Sequence, residues 1–120
     1  MRNGHTKEEV DNNMKIYFGS IFMNKDKLEE AGINYPIKLE YYEIINEDEI
    51  TKNKKTKFGI SIEKTEYRRD NVKIEKEVMK YISNDEQKIK EILSILKDNE
   101  VTPVALQDII YDFSKQMLFC

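Results

Sequence analysis

The chain has 120 residues, 36% of them charged, and its 20 basic and 23 acidic residues leave a net charge of −3 at pH 7. This length suits one domain whose core needs no disulfide or structural metal, and the small net charge argues against disorder despite the low mean hydropathy. The single cysteine, Cys120, excludes an internal disulfide, and the lack of a signal sequence or of roughly 20 consecutive apolar residues predicts a cytoplasmic protein that does not enter membranes.

The first 36 residues are predicted to form a partly helical N-terminal extension of an α+β domain that spans residues 37–120. Thr6 to Glu9 has the form of a capping box. Apolar residues at helical spacing follow it, namely Val10, Met14, Tyr17, Phe18 and Ile21. The aromatic and β-branched content of residues 15–22 argues for a strand, but we predict a helix there. Asn24 can cap a short second helix that ends before Gly32.

Two strands are predicted after Pro36, because apolar and polar residues alternate there with a period of two. The first contains Ile37, Leu39 and Tyr41, and the second contains Phe58, Ile60 and Ile62. A charged loop over residues 46–57 joins them into a hairpin. Residues 72–82 fit both a strand and a helix, and we predict a strand with a bulge near residues 75–77. The expected sheet is therefore small and antiparallel, with about three strands.

A C-terminal helix hairpin is predicted to cover this sheet. Residues 83–86 form a capping box, and one apolar face follows at helical spacing, namely Ile89, Ile92, Leu93 and Leu96. Asn99 is expected to end this helix in the left-handed conformation. Thr102 and Pro103 then suit the first positions of a second helix, whose apolar residues are Val104, Ile109, Ile110, Phe113 and Met117.

Catalytic and metal-binding constellations are not recognisable in the sequence. His5 is the only histidine and Cys120 the only cysteine, so neither a zinc site nor a Cys-His pair can be assembled from such residues. The four glycines form no phosphate-binding motif. Acidic residues 47–49 are expected to lie in a solvated loop. We therefore predict that the chain is not an enzyme and uses no cofactor or metal.

Nucleic-acid binding is the alternative function, because basic residues cluster around the predicted hairpin. The candidate contacts are Lys52, Lys54, Lys55, Lys57, Arg68 and Arg69. Residues 92–106 also resemble the first two helices of winged helix-turn-helix regulators, in which a leucine-rich helix leads into one capped by Thr-Pro. The chain departs from that pattern because no recognition helix follows, and Asp108 and Asp112 would repel phosphate.

A second resemblance covers about two-thirds of the chain. Residues 39–42, 58–60, 99–103 and 112–113 are similar to a small family of unknown function from Gram-positive anaerobic bacteria. This resemblance implies a bacterial cytoplasmic domain and carries no activity with it.

The favoured function is a small regulatory or adaptor domain that binds another protein or itself. Apolar residues outside the confidently predicted elements are the candidate interface, namely Met14, Tyr17, Ile21, Met117, Leu118 and Phe119. These residues can equally complete the domain's own core, or they can be buried in a homodimer.

Overall fold

A computed structural model describes residues 13–46 and 57–118, which form a mixed α+β fold. Its four strands are β1 (Asn13–Phe22), β2 (Ile37–Asn46), β3 (Phe58–Tyr67) and β4 (Val72–Ser83). Its three α-helices are α1 (Lys25–Glu30), α2 (Glu86–Asp98) and α3 (Leu106–Leu118), and a 3-10 turn over Pro103–Ala105 precedes α3. The strands form one antiparallel sheet in the order β1-β2-β3-β4.

The sheet has four strands rather than the predicted three or so. The additional strand is β1, which lies within the segment predicted to be helical. β1 pairs with β2 from Asn13 opposite Asn46 to Phe22 opposite Lys38. The register shifts between Tyr17 and Gly19, so this strand contains a bulge. Pairing with β2 thus overrides the helical spacing of the apolar residues, and the β-branched and aromatic content was the better indicator. Residues 6–10 of the predicted helix lie outside the described residues.

The short second helix is confirmed. The side chain of Asn24 accepts a hydrogen bond from the Lys27 N–H, and α1 ends at Glu30. Gly32 then has a φ of 77°, the left-handed conformation that glycine adopts without steric cost.

β2, β3 and β4 lie where the sequence predicted strands, but the bulge in β4 is elsewhere. Pairing with β3 is regular from Val72 to Met79 and shifts between Met79 and Ser83. The reason is Gly59, since a Cβ atom there would overlap the carbonyl oxygens of Met79 and Lys80. β4 can therefore cross close over β3 at this one position. The predicted bulge at residues 75–77 is wrong.

The helices pack on one face of the sheet, and the core lies between them and β2 and β3. All four predicted core residues of α2 are buried against Leu39, Tyr41, Ile60 and Ile62. We call this side the covered face. Tyr41 is fully buried there, and its hydroxyl donates a 2.8 Å hydrogen bond to the carbonyl of Val101. The turn after α2 is thereby attached to the centre of the sheet.

The C-terminal helices do not form a clear hairpin, so that part of the prediction is wrong. Asp85 rather than Ser83 caps α2, and Glu100 rather than Asn99 adopts a positive φ of 54°. The 3-10 turn then delays the start of α3 to Leu106. α3 packs mainly against this turn and β4. None of the described helices is long and apolar enough to cross a bilayer.

Candidate functional site

The second face of the sheet, which we call the open face, is covered by none of the described helices. The strand registers place on it alternate residues of each strand. These are Lys15, Tyr17, Ser20 and Phe22 of β1, Lys38, Glu40, Tyr42 and Ile44 of β2, Ser61, Glu63, Thr65 and Tyr67 of β3, and Val72, Ile74, Lys76 and Val78 of β4. The face is therefore built from every strand of the sheet.

Large apolar side chains are exposed on the open face. The exposed fraction is 64% for Ile74, 61% for Phe22, 56% for Tyr17 and 55% for Val72. An antiparallel sheet with one solvated side ordinarily carries polar residues on that side. This composition therefore differs from that of an ordinary solvent-facing sheet surface, although single exposed apolar residues are common on proteins.

Aromatic pairs hold several of these rings in place. Tyr17 and Tyr42 meet edge to face, with ring centroids 5.8 Å apart. Phe22 and Tyr67 lie 6.3 Å apart across β2. The Tyr17 hydroxyl also donates a 2.8 Å hydrogen bond to the Ser20 hydroxyl. Because these rings are positioned before any binding event, they would lose little side-chain entropy when a partner contacts them.

Four charged residues on the open face form ion pairs, one across two strands and one along β2. Lys15 forms an ion pair with Glu63, and its ammonium lies 4.4 Å from the centroid of the Tyr42 ring. The Lys38 ammonium is 3.7 Å from the Glu40 carboxylate. Burial, together with the negative charges of Glu63 and Glu40, raises the pKa of the Tyr42 hydroxyl. The face therefore alternates apolar positions with positions of balanced charge.

An apolar cleft lies at the end of the sheet, next to Phe22. Its volume is about 520 Å³, and it is bordered by α1 and by the segment that leads into β2. The main apolar lining comes from Phe22, Met23, Leu28, Ile33, Tyr35 and Pro36. Phe22 belongs to both the cleft and the open face, so the two form a continuous apolar region.

The covered face contains one carboxyl with an unusual environment. Glu43 is only 4% exposed, and its Oε2 atom has no hydrogen-bond partner. Burial and the adjacent carboxylate of Glu86 raise its pKa to about 7, against the opposing effect of Lys90. Glu43 does not line the cleft beside Phe22. Among the described residues, no group of three His, Cys, Asp or Glu side chains could hold a metal ion.

The predicted interface residues are placed on different sides of the molecule. Met14 and Ile21 lie on the covered-face side of β1, whereas Tyr17 lies on the open face. Ile21 packs against the core, and Met14 and Tyr17 are exposed. Met117 and Leu118 belong to α3, but their side chains lie outside the described residues, as does the whole of Phe119.

The predicted nucleic-acid contacts are not brought together where the structure describes them. Lys57 and Arg68 flank β3 at its two ends, about 36 Å apart given the rise of a strand. Arg68 is engaged with Glu66, at 2.6 Å from its carboxylate, and Arg69 is exposed in the turn before β4. Burial alone would raise the pKa of Glu66, but hydrogen bonds from Arg68 and Lys64 lower it. Lys52, Lys54 and Lys55 lie outside the described residues.

Several open-face residues were missed at the level of sequence. Phe22, Tyr67, Val72, Ile74 and Val78 are exposed together, although none of them was a candidate contact. The available signal was the period of two in β4, where Val72 and Ile74 alternate with the charged residues Lys73 and Glu75. That pattern identifies one face of a strand, but it does not say whether a helix covers that face.

Comparison with known proteins gives one match. A family model described as a family of unknown function (DUF6514) matches residues 20–116. The match begins before residue 39, where the sequence-based resemblance began, and therefore includes the end of β1 and α1. No curated protein and no solved structure matches the chain. That this family occurs in Gram-positive anaerobic bacteria stays a prediction.

Proposed function

We propose that this chain, which belongs to the DUF6514 family of unknown function, is a protein-interaction domain that binds its partner through the open face. In this proposal the helices on the covered face serve to stabilise the sheet, and the open face makes the contact. The role is that of a regulatory or adaptor domain rather than of an enzyme.

The exposure of large apolar residues on the open face is the observation that carries the proposal. Ile74, Phe22, Tyr17 and Val72 are each more than half exposed, and burying such side chains contributes about 25 cal/mol per Å² of apolar surface. Contiguous apolar surface on a folded protein is typical of an interaction site. Tyrosine and phenylalanine are also enriched in interfaces, since they contribute a large contact area with few rotatable bonds.

The apolar cleft supports the same proposal, because it offers an anchoring position at the border of the open face. A volume of about 520 Å³ accommodates one or two apolar side chains of a partner. Interfaces commonly concentrate their binding energy where a large side chain enters such a pocket. We expect the partner to place an aromatic or aliphatic residue next to Phe22.

The charge balance of the open face favours a protein over a nucleic acid. Glu40 and Glu63 lie in the middle of the face, and each is paired with a lysine. Phosphate binding requires an excess of positive charge that can displace counterions. The aromatic rings on this face could nevertheless stack on unpaired bases, so a single-stranded nucleic acid is the second candidate.

Affinity capture with matched variants tests the proposal. The tagged wild type, a variant with Phe22→Ser and Ile74→Ser, and a control with Val104→Ser and Tyr111→Ser are incubated with lysate of the source organism. Val104 and Tyr111 are 86% and 62% exposed but belong to the helical layer. We expect a protein that is captured by the wild type and the control and is lost, by tenfold or more, with the open-face variant.

Equal capture by all three proteins would contradict the proposal. So would a single-stranded oligonucleotide that binds the wild type and loses affinity steeply with salt, provided that the open-face variant fails to bind it. Circular dichroism and urea unfolding of each variant establish that a lost contact is not a lost fold.

A further inference from the structure

One edge of the sheet, β4, is long, regular and exposed. Its pairing with β3 is unbroken from Val72, opposite Tyr67, to Met79, opposite Ile60. Among the described strands, β3 alone pairs with β4, so the outer backbone groups along Val72–Met79 face no other described strand. Proteins usually protect such an edge by shortening, bulging or covering it.

The opposite edge is protected in this way, which makes β4 the exception. β1 has a bulge between Tyr17 and Gly19, in the middle of the strand. The side chain of Lys97, from the last turn of α2, also packs 3.1 Å from where a Cβ atom of Gly19 would be. Along Val72–Met79, β4 has no bulge, although its covered-face residue Glu77 accepts a hydrogen bond from Gln107 of α3. Its open-face residues Val72, Ile74 and Val78 are 55%, 64% and 43% exposed.

The charges along β4 select one way for it to pair with a second copy of itself. Directly opposed residues of antiparallel strands point to the same face of a sheet. A two-fold axis normal to the sheet must therefore place one residue directly opposite its own copy. It cannot place a residue opposite the copy of its neighbour in the chain, because the two would point to different faces. The possible positions within the regular stretch, with neighbours on both sides, run from Lys73 to Val78.

Five of these six positions are unfavourable. An axis at Lys73, Glu75, Lys76 or Glu77 places that residue against its own copy, and an axis at Val78 extends the pairing past Met79 into the part of β4 where its register with β3 shifts. Directly opposed like charges destabilise a strand pair. The axis at Ile74 is free of this conflict. It sets Lys73 against the partner's Glu75 on both sides, Ile74 against the partner's Ile74, and Val72 against the partner's Lys76.

We propose that two copies of the chain associate by antiparallel pairing of their β4 strands about a two-fold axis at Ile74. The product is a continuous eight-stranded sheet with two symmetric pairs of Lys73 and the partner's Glu75. Val72 and Ile74 of both copies meet on its open face, which becomes one platform twice as wide. This inference rests on the proposed function, since it assigns a second copy to the border of the interaction face.

Charge reversal tests the register. Sedimentation velocity over a range of concentrations is expected to show a dimer for the wild type. Lys73→Glu places Glu against the partner's Glu75, and Glu75→Lys places Lys against the partner's Lys73, so each single variant should raise the dissociation constant roughly tenfold or more. The double variant K73E/E75K restores opposite charges across the two-fold axis and should recover dimerisation. Within the chain, Glu66 and Lys64 of β3 lie opposite positions 73 and 75, and Lys64 is ion-paired with Glu75, so urea unfolding of each variant establishes that a lost dimer is not a lost fold. Lys115→Glu, the same charge change at an exposed position of α3, should leave the dimer intact.

A crosslink provides a readout that does not depend on charge. In a Cys120→Ser background, Ile74→Cys should be joined efficiently by a short bifunctional thiol reagent, because the two residues 74 face each other at the axis. Val104→Cys, in the same background and more exposed, should not be joined.

A wild type that stays monomeric at all accessible concentrations would overturn the inference. The inference would also be overturned if a single charge-reversal variant dimerised as tightly as the wild type. A double variant that fails to dimerise would overturn it too. These results leave the proposed function intact if the open face still captures a partner protein. Conversely, the dimer can behave as predicted while the open-face substitutions leave partner capture unchanged. That combination would overturn the proposed function alone.

Discussion

The two faces of the sheet both carry apolar side chains but differ in what lies against them. On the covered face, Leu39, Tyr41, Ile60 and Ile62 are completely buried under α2 and the turn that follows it. On the open face, Ile74 and Phe22 are more than half exposed. Apolar residues on a strand thus mark both faces here. The helices lie on only one of them, although Ile44 and Ser61 of the open face are also buried.

The difference predicts that equal substitutions have unequal effects on the two faces. Leu93→Ala removes a fully buried side chain of α2 and is expected to lower the free energy of unfolding by about 3 kcal/mol. Ile74→Ala, on the open face, should lower it by less than about 1 kcal/mol at a concentration where the chain is monomeric. Urea unfolding measures both values. Similar losses would mean that the open face is packed in solution.

Gly59 is an open-face position at which a substitution should be as costly as one on the covered face, because the backbone of β4 packs tightly against it. A Cβ atom would overlap the backbone carbonyls of Met79 and Lys80, which cannot move without disturbing β4. We expect Gly59→Ala to lower the free energy of unfolding by roughly 2–3 kcal/mol. Gly19→Ala is the control, since its Cβ atom would meet only the flexible end of Lys97. A smaller loss at Gly59 than at Gly19 would contradict the crossing geometry.

Two tyrosine hydrogen bonds of the same length sharpen the comparison. The Tyr41 hydroxyl donates to the Val101 carbonyl on the covered face, and the Tyr17 hydroxyl donates to Ser20 on the open face, each at 2.8 Å. Tyr41→Phe leaves a carbonyl without its buried donor and should cost about 1.5 kcal/mol. Tyr17→Phe should cost less than about 0.5 kcal/mol, because water replaces the exposed bond. Equal losses in urea unfolding would contradict this difference in burial.

The smallest expected effect concerns the pH dependence of Glu43. Its pKa is about 7 in the folded chain, above the ordinary value of 4.5, so the folded state binds more protons than the unfolded state between these values. Its contribution to stability is therefore complete below pH 4.5 and is lost as the pH rises through about 7. Glu43→Gln keeps the shape without the charge and should be more stable than the wild type by about 1 kcal/mol at pH 8.

Urea unfolding of both proteins from pH 4 to pH 8 measures this effect. The difference between the two profiles isolates Glu43 from the other carboxyls, including Glu66 and Glu75, whose pKa values are lowered by ion pairs with lysine or arginine. Parallel profiles would show that Glu43 is not desolvated in solution.

Local sequence was sufficient for most individual elements. The alternation in β2 and β3, the apolar face of α2, and the Asn24 cap and Gly32 end of α1 are all confirmed. Each of these signals depends on residues that are close in the chain. The prediction failed for β1, where helical spacing and strand composition disagreed, because only pairing with β2 settles such a conflict.

The candidate site was harder to predict, since it consists of residues from four strands. Of the predicted interface residues that the structure describes in full, Tyr17 lies on the open face, whereas Met14 and Ile21 do not. Phe22 and Tyr67 become neighbours across β2, and Ile74 is exposed only because the helices pack on the other side. Neither relation is contained in the local pattern of any one strand.

The sequence by itself determined that the chain forms an α+β domain with amphipathic strands and a buried face on α2, because periodicity and capping residues act over a few positions. The tertiary structure alone decided which side of the sheet the helices cover, that β1 joins the sheet, and that Gly59 lets β4 cross β3. These outcomes depend on contacts between residues far apart in the chain. The open face and the β4 edge, from which the proposed interactions follow, belong to this second group.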